Sequence, residues 1–187
     1  MSSMQIDFQK TALVIIDLQK GIVGMPGGQL VVDKTVELVK QFRQKEGFIA
    51  FVKVEFHDGK DSLKPATDQT VSTFQRPADW AELVPELGVS PTDYVVTKRQ
   101  WGAFFGTDLD LQLRRRGINS IVLCGIATNI GVESTAREAF QYGYNQIFIT
   151  DAMTTFTHEE HEASCKYIFP KIGKVRSVQQ FLMEVND

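Results

Sequence analysis

The chain of 187 residues is poor in cysteine and histidine and has no excess of basic charge. Its two cysteines, Cys124 and Cys165, allow one disulfide at most, which excludes a disulfide-stapled secreted framework. Twenty lysines and arginines against 23 aspartates and glutamates leave a formal charge of −3, so no basic field is offered to nucleic acid or to an anionic membrane. No apolar run approaches the ~18 residues of a membrane span, and the opening MSSMQIDFQK lacks the apolar stretch of a signal peptide. Of the three histidines, His57 stands alone in its segment with Asp58 after it, too few for the three or four ligands of a metal centre. His158 and His161 sit three apart at the opening of a helical pattern and read as helix-start context. No glycine-rich dinucleotide fingerprint follows the first apolar run, so neither a nicotinamide cofactor nor a metal is expected. With 43% hydrophobic residues the chain can bury one sizeable core, and a single domain over 1–187, soluble, reduced and cytoplasmic, is the expectation.

What is present is alternation. Thr11–Asp17, Phe48–Val54, Tyr94–Thr97, Ser120–Gly125 and Gln146–Asp151 are continuous apolar runs, with Gly173–Arg176 a weaker sixth. Continuous β-branched runs predict strands covered on both faces, as in a parallel sheet. Between them lie helical stripes: Val32, Val36, Val39 and Phe42, stopped near Gly47; Val132, Ala136, Ala139 and Phe140, ending before Gly143; and Val178, Phe181, Leu182 and Val185. Thr157 followed by Glu160 predicts a capping box opening a helix towards Tyr167 and Ile168. The fold class is therefore α/β, a doubly wound sheet. Gly24 to Gly28 form a turn cluster, and Glu55 to about Pro77 is polar and aperiodic, long enough to serve as a lid or substrate wall.

In open parallel sheets ligands bind beyond the carboxyl ends of the strands. Asp17 closes the first run, Lys98 follows the third, Gly125 to Gly131 join the fourth to a helix, and Asp151 closes the fifth. A carboxylate, an ammonium and a helix start suit proton transfer and anion binding. Each alone has a plainer role: a strand-end Asp turns or caps, as expected for Asp151, and a lysine is usually solvated.

Three segments taken together resemble the isochorismatase-like hydrolase superfamily, which also contains nicotinamidases and N-carbamoylsarcosine amidases. They are TALVIIDLQKGIV (11–23), VTKRQWGAFFGTDLDLQLRRRGI (96–118) and IVLCGIATNIGVESTAREAFQYGY (121–144). The resemblance implies a three-layer Rossmann-like fold, with a six-stranded parallel sheet in order 3-2-1-4-5-6 and helices on both faces. It implies a triad of Asp, Lys and Cys, of which Asp17 and Lys98 match the first two. It further implies a cis peptide between Ile126 and Ala127 that aims the N–H groups of Ala127 and Gly131 into the site, and a homo-oligomer.

The third triad position departs. Amidohydrolase members carry cysteine where this chain carries Gly131, and glycine offers no nucleophile. Cys124, inside an apolar strand, and Cys165, in a late helix, are poor substitutes. Isochorismatases proper also carry glycine there and cleave a vinyl ether by acid–base chemistry, which implies Asp17 as a general acid held protonated by burial against the pull of Lys98. The expected substrate contacts are Ala127 and Thr128, an apolar wall of Trp101, Phe104 and Phe105, and Arg76 as a carboxylate ligand. The expected partner is a small-molecule substrate, carboxylated or carbonyl-bearing. The alternatives are an amidohydrolase working without its thiol and a silent binding protein of the same fold.

Overall fold

The computed structural model describes residues 6–69 and 76–186. Strands β1 (Thr11–Ile16), β2 (Phe48–Val54), β3 (Tyr94–Lys98), β4 (Ser120–Ile126), β5 (Asn145–Thr154) and β6 (Lys174–Arg176) form one sheet in the order β3-β2-β1-β4-β5-β6. Every pairing is parallel. The helices are α1 (Gly28–Gln44), α2 (Leu109–Arg115), α3 (Glu133–Gln141), α4 (His158–Ala163), α5 (Phe169–Ile172) and α6 (Val178–Asn186).

Alternate residues of each strand feed two separate cores, because successive side chains leave a strand on opposite faces. Leu13, Ile15, Ile49, Phe51, Val122 and Cys124 pack with Val32, Val39 and Phe42 of α1 and Val178 and Phe181 of α6. Val14, Ile16, Val52, Val96, Ile121 and Leu123 pack on the other face with Leu113 of α2, Ala136 of α3 and Phe169 of α5. The continuous apolar runs are thus explained as expected, by cover on both faces.

Several boundaries differ from those the sequence predicts. β5 runs on to Thr154, so Asp151 does not close it. A register shift opposite Leu123 and Gly125 lets the strand continue past that point. Asp151 nevertheless caps: its Oδ1 accepts from the Val178 N–H at 2.7 Å, at the start of α6. Phe140, placed by spacing on the buried stripe of α3, is 54% exposed. The Thr157–Glu160 capping box is present, and α4 passes through a π turn (Ser164–Ile168) into α5. The segment from Glu55 to Asp93 holds only one short 3-10 turn, Pro85–Leu87, among the described residues.

Candidate active site

The order β3-β2-β1-β4 reverses direction of winding beside β1, which opens a crevice at the carboxyl ends of β1 and β4. Asp17 follows β1 directly and takes φ 53°, a left-handed conformation that Asp tolerates better than most residues. Its N–H donates to Val52 O at 3.0 Å and its carbonyl accepts from Gln19 N at 2.8 Å, so the turn is held from both sides. The close approach of β4 requires Gly125: a Cβ there would lie 2.2 Å from the Ile16 carbonyl oxygen.

Lys98 ends β3, two strands and so about 9–10 Å from β1. The extended lysine stem and the Asp17 side chain close that gap together. Lys98 Nζ lies 2.7 Å from Asp17 Oδ2, 2.9 Å from Trp101 O and 3.1 Å from Gln100 O, which accounts for all three ammonium protons. The pair is buried, with side chains 2% and 8% exposed. Asp17 Oδ1 is also buried but has no hydrogen-bond partner among the described residues. Burial pushes the Asp17 carboxyl up to about 6, against the lowering effect of the Lys98 charge and hydrogen bond.

The third wall is the segment after β4. The Ile126–Ala127 peptide is cis, and Thr128–Val132 form a π turn that runs into α3. Ala127 O accepts from the N–H groups of Ile130 and Val132, both at 3.1 Å. Asp17, Lys98, Ile126, Ala127, Ile130 and Gly131 line one cleft of about 910 Å³. The far side of the cleft comes from the long segment after β2, including Phe56, Leu63, Lys64, Arg76 and Trp80. The Arg76 guanidinium stacks 4.9 Å from the Phe56 ring centroid and 4.6 Å from that of Trp80. It forms no ion pair with any described residue. Asp61 fastens the start of this segment, accepting from His57 N–H at 3.0 Å and from Arg99 Nε at 2.9 Å.

The sequence-derived set is only partly assembled here. Asp17, Lys98, Ala127, Gly131, Trp101 and Arg76 face the cleft. Phe104 does not: it is 3% exposed, packed in the core beside Tyr142 and Tyr144. Phe105 is 72% exposed and lies outside the cleft lining. Thr128 is fully buried, with its hydroxyl 2.8 Å from His161 Nδ1. Phe104 and Phe105 are adjacent and point apart, so the apolar lining is drawn instead from Trp101 with Phe56, Trp80 and Phe156. Cys124 is buried and its thiol pushed up to about 12, and Cys165 lies 3.4 Å from His161 Nε2. Neither lines the cleft.

Gln19, which sequence reasoning left without a role, is fully buried. Its Nε2 donates to Val54 O at 2.9 Å and its Oε1 accepts from Val54 N at 2.8 Å, so the amide prolongs the β1–β2 ladder past the strand ends. Residues 18–21 also pair with 80–84 through Lys20 N to Glu82 O, Gly21 N to Trp80 O and Val84 N to Leu18 O. An amide side chain directly beyond an apolar strand was the available signal, because a buried amide must find partners.

An isochorismatase domain profile matches residues 11–180. Over 187 residues the chain is 67% identical to the uncharacterized isochorismatase family protein YwoC of Bacillus subtilis, covering 99% of each chain. The structure of an isochorismatase family protein from Burkholderia thailandensis superposes with a TM-score of 0.93 at 46% identity, covering 100% of both chains. A ureidoacrylate amidohydrolase of Variovorax paradoxus is 46% identical over 78 residues, which span 42% of this chain and 29% of that protein.

Proposed function

The chain belongs to the isochorismatase family of hydrolases, and on that premise we propose that it hydrolyses a small carboxylated vinyl ether, or a related carbonyl compound, by acid–base chemistry without a covalent intermediate. The observation that carries this reading is Asp17 Oδ1: buried, without a partner, on a carboxyl raised to about 6, in a cleft where Gly131 offers no nucleophile. A proton on Oδ1 can pass to the terminal carbon of the enol ether. Lys98, fixed on Oδ2, stabilises the carboxylate left behind. Water adds to the oxocarbenium carbon, and the hemiketal collapses to a ketone and an alcohol. Ala127 and Gly131 line the wall, where for a carbonyl substrate their backbone N–H groups serve the negative charge developing on its oxygen; the vinyl-ether route builds positive charge and does not call on them. Arg76 takes the substrate carboxylate at the far side, its orientation held by Phe56 and Trp80.

The experiment is a turnover screen with isochorismate, nicotinamide and carbamoyl compounds, read by product mass, with Asp17→Asn as control. Turnover of a vinyl ether that Asp17→Asn abolishes supports the reading. Equal turnover by the variant removes it. The partial match to a ureidoacrylate amidohydrolase favours a second reading, in which the Asp17 carboxylate is a base that activates water on an amide. The two differ in the sign of their pH dependence: an acid loses rate as pH rises through about 6, and a base gains it.

A further inference from the structure

Two segments close on the Asp17–Lys98 pair, and one buried hydroxyl joins them. The first follows β3, where the carbonyls of Gln100 and Trp101 accept from Lys98 Nζ at 3.1 and 2.9 Å. The second is the π turn after β4, where a Cβ on Gly131 would lie 3.2 Å from Asp17 Oδ2 and 3.4 Å from Trp101 O. Neither segment is a strand, so no ladder of the sheet fixes one against the other.

Thr135, in the first turn of α3, is fully buried. Its hydroxyl donates to Gly131 O at 2.7 Å, and its oxygen accepts from Ala103 N–H at 3.1 Å. The order of this relay is fixed. An N–H can only donate and a carbonyl can only accept, so the single hydroxyl proton goes to Gly131. A bond from a helical threonine back to the carbonyl four residues earlier is common and by itself local. The bond from Ala103 is not local: it comes from 32 residues away, at the second residue after Trp101. Three residues on, Glu138 accepts from Phe104 N–H at 3.0 Å, and a Cβ on Gly102 would run into its carboxylate. One face of α3 thus grips residues 102–104.

We propose that Thr135 is a positioning residue for the Asp17–Lys98 pair: its hydroxyl, held between Ala103 N–H and Gly131 O, fixes the carbonyls that seat the Lys98 ammonium against the turn that borders Asp17. Lys98 commits its protons to Asp17 and to those two carbonyls, so a displaced Trp101 carbonyl displaces the ammonium. The positive charge beside Asp17 is then held less closely, and burial acts on the carboxyl with less opposition. Packing at position 135 cannot replace the hydroxyl here, because a methyl group neither accepts from Ala103 nor donates to Gly131. The inference deepens the reading above and rests on it for turnover, but not for the state of Asp17.

Two variants divide packing from hydrogen bonding. Thr135→Val keeps the shape, loses both bonds and leaves the Ala103 N–H buried without a partner. Thr135→Ser keeps the hydroxyl and loses a methyl group. An NMR titration of isotope-labelled aspartate carboxyls, with the Asp17 signal identified by its loss in Asp17→Asn, needs no substrate. The Asp17 midpoint is expected at about 6 in wild type and Thr135→Ser, and higher by about half a pH unit or more in Thr135→Val. On a substrate found by the screen, Thr135→Val should lose kcat about tenfold with KM within about threefold, and Thr135→Ser should restore it. An Asp17 midpoint unmoved in Thr135→Val overturns the inference, and so does one moved equally in Thr135→Ser. If Thr135→Val does not fold, amide exchange in the wild type decides: Ala103 N–H is expected to exchange as slowly as the amides of α3, and exchange at the rate of an open loop overturns the inference. If the wild type turns over no compound in the screen, the functional reading falls, and the Asp17 titration still decides the role of Thr135.

Discussion

Lys98 holds one oxygen of Asp17 and leaves the other alone: Nζ is 2.7 Å from Oδ2, while Oδ1 is buried without a partner. An ion pair made for stability would satisfy both oxygens, since an unpaired buried polar atom costs about 1–3 kcal/mol. The arrangement instead leaves one oxygen of a cleft-lining residue free to carry a proton. With its ammonium protons committed to Asp17, Gln100 and Trp101, Lys98 anchors the carboxylate and has none left for substrate.

Asp17→Asn is expected to fold and to lose kcat by about 10²–10⁴-fold, the range a general acid contributes. Circular dichroism with steady-state turnover checks this. Retention of more than about a tenth of the wild-type kcat is incompatible with the assigned role.

Stability should depend on pH through the same group. The Asp17 carboxyl is raised from 3.8 to about 6 in the folded protein, so between those values the native state binds more protons than the unfolded one. That contribution is fully present below 3.8, falls as pH rises and is gone above about 6. Urea melts of wild type and Asp17→Asn across this window should show the decline attributable to Asp17 in the wild type only.

Lys98→Met removes the cation that opposes the burial effect, so the Asp17 carboxyl should rise above about 6 and the alkaline limb of the rate profile should move to higher pH. Melting temperature should also fall, because the carbonyls of Gln100 and Trp101 lose their shared donor. An unmoved limb would mean that Lys98 does not set the acid.

Phe104 and Arg76 should separate cleanly. Phe104→Ala opens a cavity in a packed core and should cost about 3–5 kcal/mol with KM unchanged. Arg76→Ala, exposed and unpaired among the described residues, should leave the melting temperature nearly unaltered and raise KM about tenfold for a carboxylated substrate. Thermal melts beside saturation kinetics read both.

The thiols should prove dispensable. Both Cys124 and Cys165 are pushed up to about 12 by burial, so alkylation by iodoacetamide at neutral pH should be slow and should reach half-buried Cys165 first. Cys124→Ser with Cys165→Ser should retain kcat, with a modest loss of stability from a hydroxyl buried at 124. A mass-detected substrate adduct on either cysteine would defeat the non-covalent mechanism.

The sequence by itself determined the layers and the strand ends that carry Asp17 and Lys98, while their pairing was implied by the family resemblance. Continuous apolar runs reveal burial on both faces whatever the neighbours are, and the strand-end positions of Asp17 and Lys98 follow from where those runs stop. Asp151 was legible as a cap but not in its place, since the strand expected to stop there runs on to Thr154 and the N–H it caps is that of Val178. Only the tertiary structure decided which side chains share a wall. Phe104 and Phe105 are adjacent in sequence, yet one is buried in the core and the other exposed outside the cleft. Thr128 turns to His161, and Gln19, silent as a letter, ties two strand ends together through Val54. Orientation in an irregular segment depends on partners far along the chain, 81 residues between Lys98 and Asp17 and 35 between Gln19 and Val54. Periodicity carries no record of such partners, because it arises from a residue's own strand or helix, and the cleft is made where those elements end.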